Sequence, residues 1–223
     1  MRQLPLSVRL RTAAVFGNFY EGPNREAAEA VRAADADPLW ICGPAGCGKT
    51  HLLQAACADS AQPCAFFSIP GEPALPPAAL EGLEGLALLC LDEVDRIAGE
   101  LEWEYALFRL FNAALERRTR LIFAARNAPS AIGWRLPDWA SRAASCRVYR
   151  LRLLDDAERI EALRMRANTR GLTLPLETAE YLLKRMPRDQ QALFDLVDTL
   201  DEAALVAQRR LTVPFVRDAL KLV

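Results

Sequence analysis

Over its first two thirds the chain alternates between short apolar runs and stretches whose apolar residues recur at helical spacing. Runs at 38–42 (PLWIC), 64–69 (CAFFSI), 86–91 (LALLCL), 119–125 (TRLIFAA) and 146–151 (CRVYRL) read as five strands. Helices are predicted at 49–59, at 101–117, where Trp103, Leu107, Leu110, Phe111 and Leu115 share a stripe, and in a short piece near 138–144. Such alternation predicts an α/β domain with a mostly parallel sheet covered on both faces. The stretch PGEPALPPAAL (70–80) carries four prolines and reads as a loop or broken turn.

Beyond residue 151 the strands stop. Segments 155–170, 177–186, 188–209 and 213–222 read as amphipathic helices. Asp155 with Glu158 three residues later is a capping-box signature, and Pro214 suits the first turn of the last helix. The expected organisation is an arm at 1–15, an α/β domain at 16–152 and a helical domain at 153–223.

Composition narrows the class. Of 223 residues, 52% are hydrophobic and 26% charged, enough apolar content for a sizeable core. A net charge of −1 excludes a globally basic nucleic-acid coat protein, though not a local basic patch. No apolar run is long enough to span a bilayer, and arginines 2, 9 and 11 interrupt any signal-like leader. Six cysteines lie mostly in apolar segments without CxxC pairing, which reads as reduced core thiols in the cytoplasm rather than disulfides or zinc ligands.

The sharpest motif is Gly43-Pro44-Ala45-Gly46-Cys47-Gly48-Lys49-Thr50, a full G-x-x-x-x-G-K-T between an expected strand and an expected helix. Its glycines let backbone amides wrap a phosphate, and the start of the helix adds positive potential. Lys49 is expected to reach the β- and γ-phosphates, and the Thr50 hydroxyl to ligate Mg²⁺. The run Leu88–Leu91 ends in Asp92-Glu93. Strand alternation would turn Asp92 to the metal and Glu93 the other way, to polarise a water. Asp95 reads as a surface or supporting group.

This set, with a helical domain behind it, resembles the AAA+ ATPases, and within them the replication-initiator group typified by DnaA. Phe16-Gly-Asn-Phe19-Tyr20-Glu-Gly22-Pro-Asn24 is similar to the leading segment that in that group lies against adenine. The resemblance implies a P-loop AAA+ core with a five-stranded parallel sheet, a small all-helical lid, and ADP or ATP with Mg²⁺ as cofactors. It places Phe19, Tyr20 and His51 at the nucleotide, and His51 otherwise reads as an ordinary helix residue. Leu136-Pro-Asp-Trp-Ala-Ser-Arg142 is similar to the segment whose arginine reaches a nucleotide on a neighbouring molecule, and Arg188 to the lid arginine that folds over the bound nucleotide. From the residues alone, both arginines read equally as solvated helix positions. After the fourth strand the chain reads Ala124-Ala125-Arg126-Asn127, leaving the γ-phosphate sensor open between Arg126 and Asn127.

Initiators of this group carry a helix-turn-helix domain behind the lid, and no basic recognition helix is read in this sequence. That pattern, with segments 182–185 and 207–217, resembles the DnaA regulatory inactivator family. The resemblance implies a regulator that binds the sliding clamp through an N-terminal glutamine- and leucine-containing motif, here Gln3, Leu4 and Leu6. It further implies that Arg142 promotes ATP hydrolysis in a DnaA-type initiator, with weak hydrolysis of its own and no specific DNA contact. A homo-oligomer is compatible with this reading. The rival is a replicative helicase loader binding single-stranded DNA through aromatic and basic residues. Against it, Tyr105, Phe108 and Phe111 recur at helical spacing, which suits core packing. A small-molecule P-loop kinase is a more distant alternative.

Overall fold

The computed structural model describes residues 14–33, 37–69, 76–185, 199–200 and 211–220. Gln3, Leu4, Leu6, Arg188 and most of the expected helix 188–209 lie outside the described residues. All five expected strands form: β1 (Leu39–Cys42), β2 (Cys64–Ser68), β3 (Leu88–Asp92), β4 (Arg120–Ala125) and β5 (Arg147–Arg150). They make one parallel sheet in the order β2-β3-β4-β1-β5. The helices are α1 (Arg25–Arg32), α2 (Lys49–Asp59), α3 (Leu101–Arg117), α4 (Pro137–Ala144), α5 (Asp156–Thr169), α6 (Leu176–Arg185) and α7 (Val213–Ala219).

Strand alternation distributes the core. Trp40 and Cys42 of β1, Leu89 and Leu91 of β3, and Leu121, Phe123 and Ala125 of β4 face α3 and α4. Leu39 and Ile41, Leu88 and Cys90, and Ile122 and Ala124 face α1 and α2. Asp92 shares the parity of Leu88 and Cys90, so it emerges on the face of α2. The lid has a core of its own, built on Leu163, Ala167, Leu174, Leu182, Leu211 and Val216. The Asp155–Glu158 capping box forms, each backbone N–H donating to the other side chain at 2.8 Å. Pro214 stands in the first turn of α7.

Two details depart from the sequence reading, and one, in the proline-rich segment, sharpens it. Helix α1 is not among the elements read from the sequence, although it is amphipathic, with Ala27, Ala28 and Val31 inward and Arg25, Glu26, Glu29 and Arg32 outward. At eight residues it is shorter than the window over which a helical period stands out. Within the proline-rich segment, Pro77–Leu80 forms a one-turn 3₁₀ helix that buries Leu80, with proline supplying the helical φ. Tyr105 is 51% exposed rather than packed, whereas Phe111 is buried and Phe108 half-buried.

Candidate nucleotide-binding site

The loop between β1 and α2 follows from its glycines. Gly46 (φ 79°) and Gly48 (φ 99°) take left-handed conformations that side chains resist. Gly43 is needed for space, since a Cβ there would lie 2.6 Å from the Leu151 carbonyl oxygen. Among the described residues, no carbonyl accepts from the amides of Ala45, Gly46 or Gly48. The first N–H groups of α2 lack intrahelical partners as well. Converging donors beside an ammonium suit a phosphate chain. The Lys49 ammonium spans the loop, donating to the carbonyls of Gly43 at 2.7 Å and Pro44 at 2.9 Å. Pro44 and Ala45 are exposed. Cys47 is buried, and burial pushes its thiol pKa up despite the nearby lysine.

The Thr50 hydroxyl donates to Asp92 Oδ2 at 2.5 Å, joining α2 to the end of β3. A hydroxyl beside a buried carboxylate is a donor set that fits Mg²⁺, which takes oxygen ligands and keeps several waters. Glu93 leaves the strand in the left-handed region, at φ 59°. Its orientation therefore comes from a bent backbone rather than from strand alternation. Arg96 lies 2.8 Å from Glu93 Oε1, and the Ser68 hydroxyl donates to Oε2 at 3.4 Å. The Glu93 carboxylate is thus held between a cation and a hydroxyl at the tip of β2.

Phe19 and Tyr20 sit where the leading segment meets the lid. The Phe19 ring packs on Gly48, where a Cβ would come within 2.8 Å of it, and lies tilted 5.4 Å from the His51 ring. His51 Nε2 is 3.1 Å from the Val15 carbonyl oxygen. Burial lowers the His51 pKa, the Val15 carbonyl opposes that, and the charge of Arg166 adds to the lowering. Tyr20 lies among the acids that open α5: burial raises its pKa, and Glu158, Glu161 and Asp155 raise it further. Arg126 and Asn127 are both exposed just past β4. The Asn127 carbonyl accepts from Trp40 Nε1 at 3.0 Å.

Arg142 lies on α4. Trp139 and Ala143 of that helix are fully buried, while Asp138, Ser141, Arg142 and Ser145 form an exposed stripe at helical spacing. Among the described residues, no side chain pairs with the Arg142 guanidinium.

Two polar anchors of the site escape sequence reasoning. The buried Asn24 side chain donates to the Arg152 carbonyl at 3.0 Å and accepts from its amide at 2.8 Å. This fastens the leading segment to the connection that enters the lid. Glu104, with no exposed surface, accepts from backbone amides of two separate loops, at Gly99 and at Arg135–Leu136. Asn24 stands inside the leading motif, but nothing local marks its partner 128 residues away.

A parallel sheet in this order, a glycine-rich loop opening α2, an acidic strand end and a helical lid define a P-loop fold of the AAA+ class. Solved structures agree in fold. Domain III of the Thermotoga maritima replication initiation protein DnaA matches with TM-score 0.73 and 18% identity, covering 95% of this chain and 97% of that one. AMPPCP-bound DnaA from Aquifex aeolicus matches with TM-score 0.68 and 20% identity, over 88% of this chain and 67% of that one. The Thermotoga maritima RuvB Holliday junction branch migration motor matches with TM-score 0.66 and 15% identity, over 91% and 69%. Residues 156–220 match the family model of the Hda lid domain. The chain therefore carries an Hda-type lid behind a DnaA-like AAA+ fold.

Proposed function

We propose that this chain is a nucleotide-bound AAA+ regulator of replication initiation that stimulates ATP hydrolysis by a DnaA-type initiator through Arg142. The observation that carries the reading is an exposed guanidinium, without a side-chain partner among the described residues, on a DnaA-like scaffold with an Hda-type lid.

An adenine nucleotide, ADP or ATP, is held by residues 43–50. The loop amides and Lys49 take the phosphates, as the unpaired donors of the loop suggest. Phe19, Tyr20 and His51 border the base side, and Arg188 closes from the lid. Thr50 and Asp92 hold Mg²⁺, which would neutralise phosphate charge. Glu93 stands ready to orient water, but its pairing with Arg96 fits slow turnover in this chain. Arg142 enters the ATP site of the initiator. There its planar fork stabilises charge on the transferring phosphoryl group, an effect worth about 10³–10⁵ in rate in comparable systems. Gln3, Leu4 and Leu6 tether the chain to the sliding clamp and raise its local concentration.

The direct test measures single-turnover hydrolysis by the initiator in the presence of clamp. Arg142→Ala should abolish stimulation while preserving the fold. Stimulation at wild-type level would overturn the assignment. Retention on immobilised clamp should fall with Gln3→Ala, and unchanged retention would remove the tether.

A further inference from the structure

The Glu104 carboxylate is completely buried, and Arg135, whose backbone touches it, sends its guanidinium elsewhere. Backbone amides serve the charge instead. Gly99 N–H donates to Oε1 at 2.7 Å. Arg135 N–H is shared between Oε1 at 3.2 Å and Oε2 at 2.9 Å, and Leu136 N–H donates to Oε2 at 2.6 Å. A charge without water is costly unless it is hydrogen-bonded all round, and here both oxygens are served. Bonds to an ionised acceptor are also stronger than neutral ones.

The donors identify what is being joined. Gly99 follows the short helix Val94–Ile97, whose N-cap is Glu93. Leu136 is the N-cap of α4, so its amide and that of Arg135 stand at the end of a helix that attracts negative charge. One carboxylate on α3 thus clamps the segment behind Asp92-Glu93 to the start of the helix that carries Arg142. The Arg135 guanidinium adds a second strap, donating to the Gly99 carbonyl at 3.3 Å.

We infer that Glu104 is a positioning residue for Arg142, setting the start of α4 relative to the acidic strand end so that the guanidinium is presented in one orientation. The inference rests on the reading of Arg142 given above. Trp139 and Ala143 seat one face of α4 in the core and set its depth. The bonds to Glu104 fix the course of the two residues that lead into the helix, and so the angle at which it starts. An ångström of misplacement at a reacting centre costs on the order of a hundredfold in rate, so a pivot of α4 would be visible in activity.

The experiment uses the full chain with Glu104→Gln, which keeps the shape but replaces one acceptor oxygen by a donor. Initiator hydrolysis is titrated against each protein. Glu104→Gln should lower the maximal stimulation by about tenfold or more, with the half-saturating concentration unchanged, because docking is intact and only presentation is lost. Exchange of the Gly99, Arg135 and Leu136 amides should accelerate in the variant while β1 and β4 stay protected. Should Glu104→Gln fail to fold, Glu104→Asp keeps the charge one methylene short and should show the same pattern. A full plateau in Glu104→Gln alongside a lost one in Arg142→Ala overturns the positioning role alone. Wild-type stimulation by Arg142→Ala instead overturns the reading beneath it. If neither Glu104 variant folds, the residue serves the whole fold and the local role is refuted.

Discussion

The two faces of the sheet hold their helices by different means. On the α2 side the helix itself buries only aliphatic and small side chains, Leu52, Leu53, Ala55 and Ala56, with the Phe19 ring seated at its start. On the α4 side it is a continuous aromatic cluster: Trp40 stacks on Phe123, Phe123 on Phe111, and Trp139 meets Phe111, Phe123 and Trp134 edge to face. Helix α2 is aimed by the backbone of the loop before it, where glycines take conformations closed to other residues. Helix α4 follows a loop whose course is set by side chains, so it is aimed by an aromatic wedge and a buried carboxylate. The proposal follows this division. The loop side grips a ligand of its own, and the aromatic side presents a charge outward.

Trp139→Ala should produce the largest effect, because it empties the middle of the aromatic cluster. Large-to-small changes of this kind cost about 3–5 kcal/mol, measurable as a lowered urea midpoint. At temperatures where the variant stays folded, stimulation of the initiator should fall while nucleotide binding persists. Loss of both together would show that the two faces are not separable.

Gly48→Ala probes the opposite face. Its φ of 99°, and a Phe19 ring only 2.8 Å from where the new Cβ would stand, make the substitution strained. The expected cost is about 1–3 kcal/mol, with weaker nucleotide binding. Adding Phe19→Ala should return the steric part of that loss. A double variant no better than the single would assign the whole cost to the backbone.

Asp155→Ala removes the N-cap of α5 and should cost about 1 kcal/mol, read most clearly in exchange from the first turn of the lid. It should leave both faces of the sheet undisturbed.

The smallest expected effect is a pH slope. His51 is the one histidine, and its folded pKa is lowered. Above about pH 6.5 it is neutral in both states and contributes no slope. As pH falls below that, the unfolded chain takes up a proton that the folded chain resists, so stability declines until the lowered folded pKa is passed. His51→Gln should flatten the stability profile between about pH 6.5 and the onset of carboxylate titration. An unchanged profile would mean that the ring is not desolvated as described.

What the sequence discloses depends on range. The strands announce themselves as apolar runs, α3 through its helical period, and the phosphate loop, with α2 behind it, through glycines whose conformations the fold requires. Asp92 is legible because strand parity alone carries it to the face of Thr50. Glu93 is only half legible: its position is clear, but its left-handed backbone and its pairing with Arg96 depend on the turn that follows β3. Helix α1 is amphipathic but only eight residues long, too short for its period to stand out. The Asn24–Arg152 and Glu104–Leu136 bonds join segments 128 and 32 residues apart, and no local pattern encodes such pairs. Tyr105 shares the helical spacing of Phe108 and Phe111 yet faces solvent, since spacing gives only an approximate phase.

The central claim is that one site in this chain binds an adenine nucleotide while its outward arginine serves another molecule. Calorimetric titration of ADP with Mg²⁺ into the wild type, Lys49→Ala and Arg142→Ala tests it most directly. The account predicts saturable binding by the wild type, at least about tenfold weaker binding by Lys49→Ala, and unchanged affinity in Arg142→Ala. Absence of binding by the wild type, or a loss in Arg142→Ala equal to that in Lys49→Ala, would contradict it.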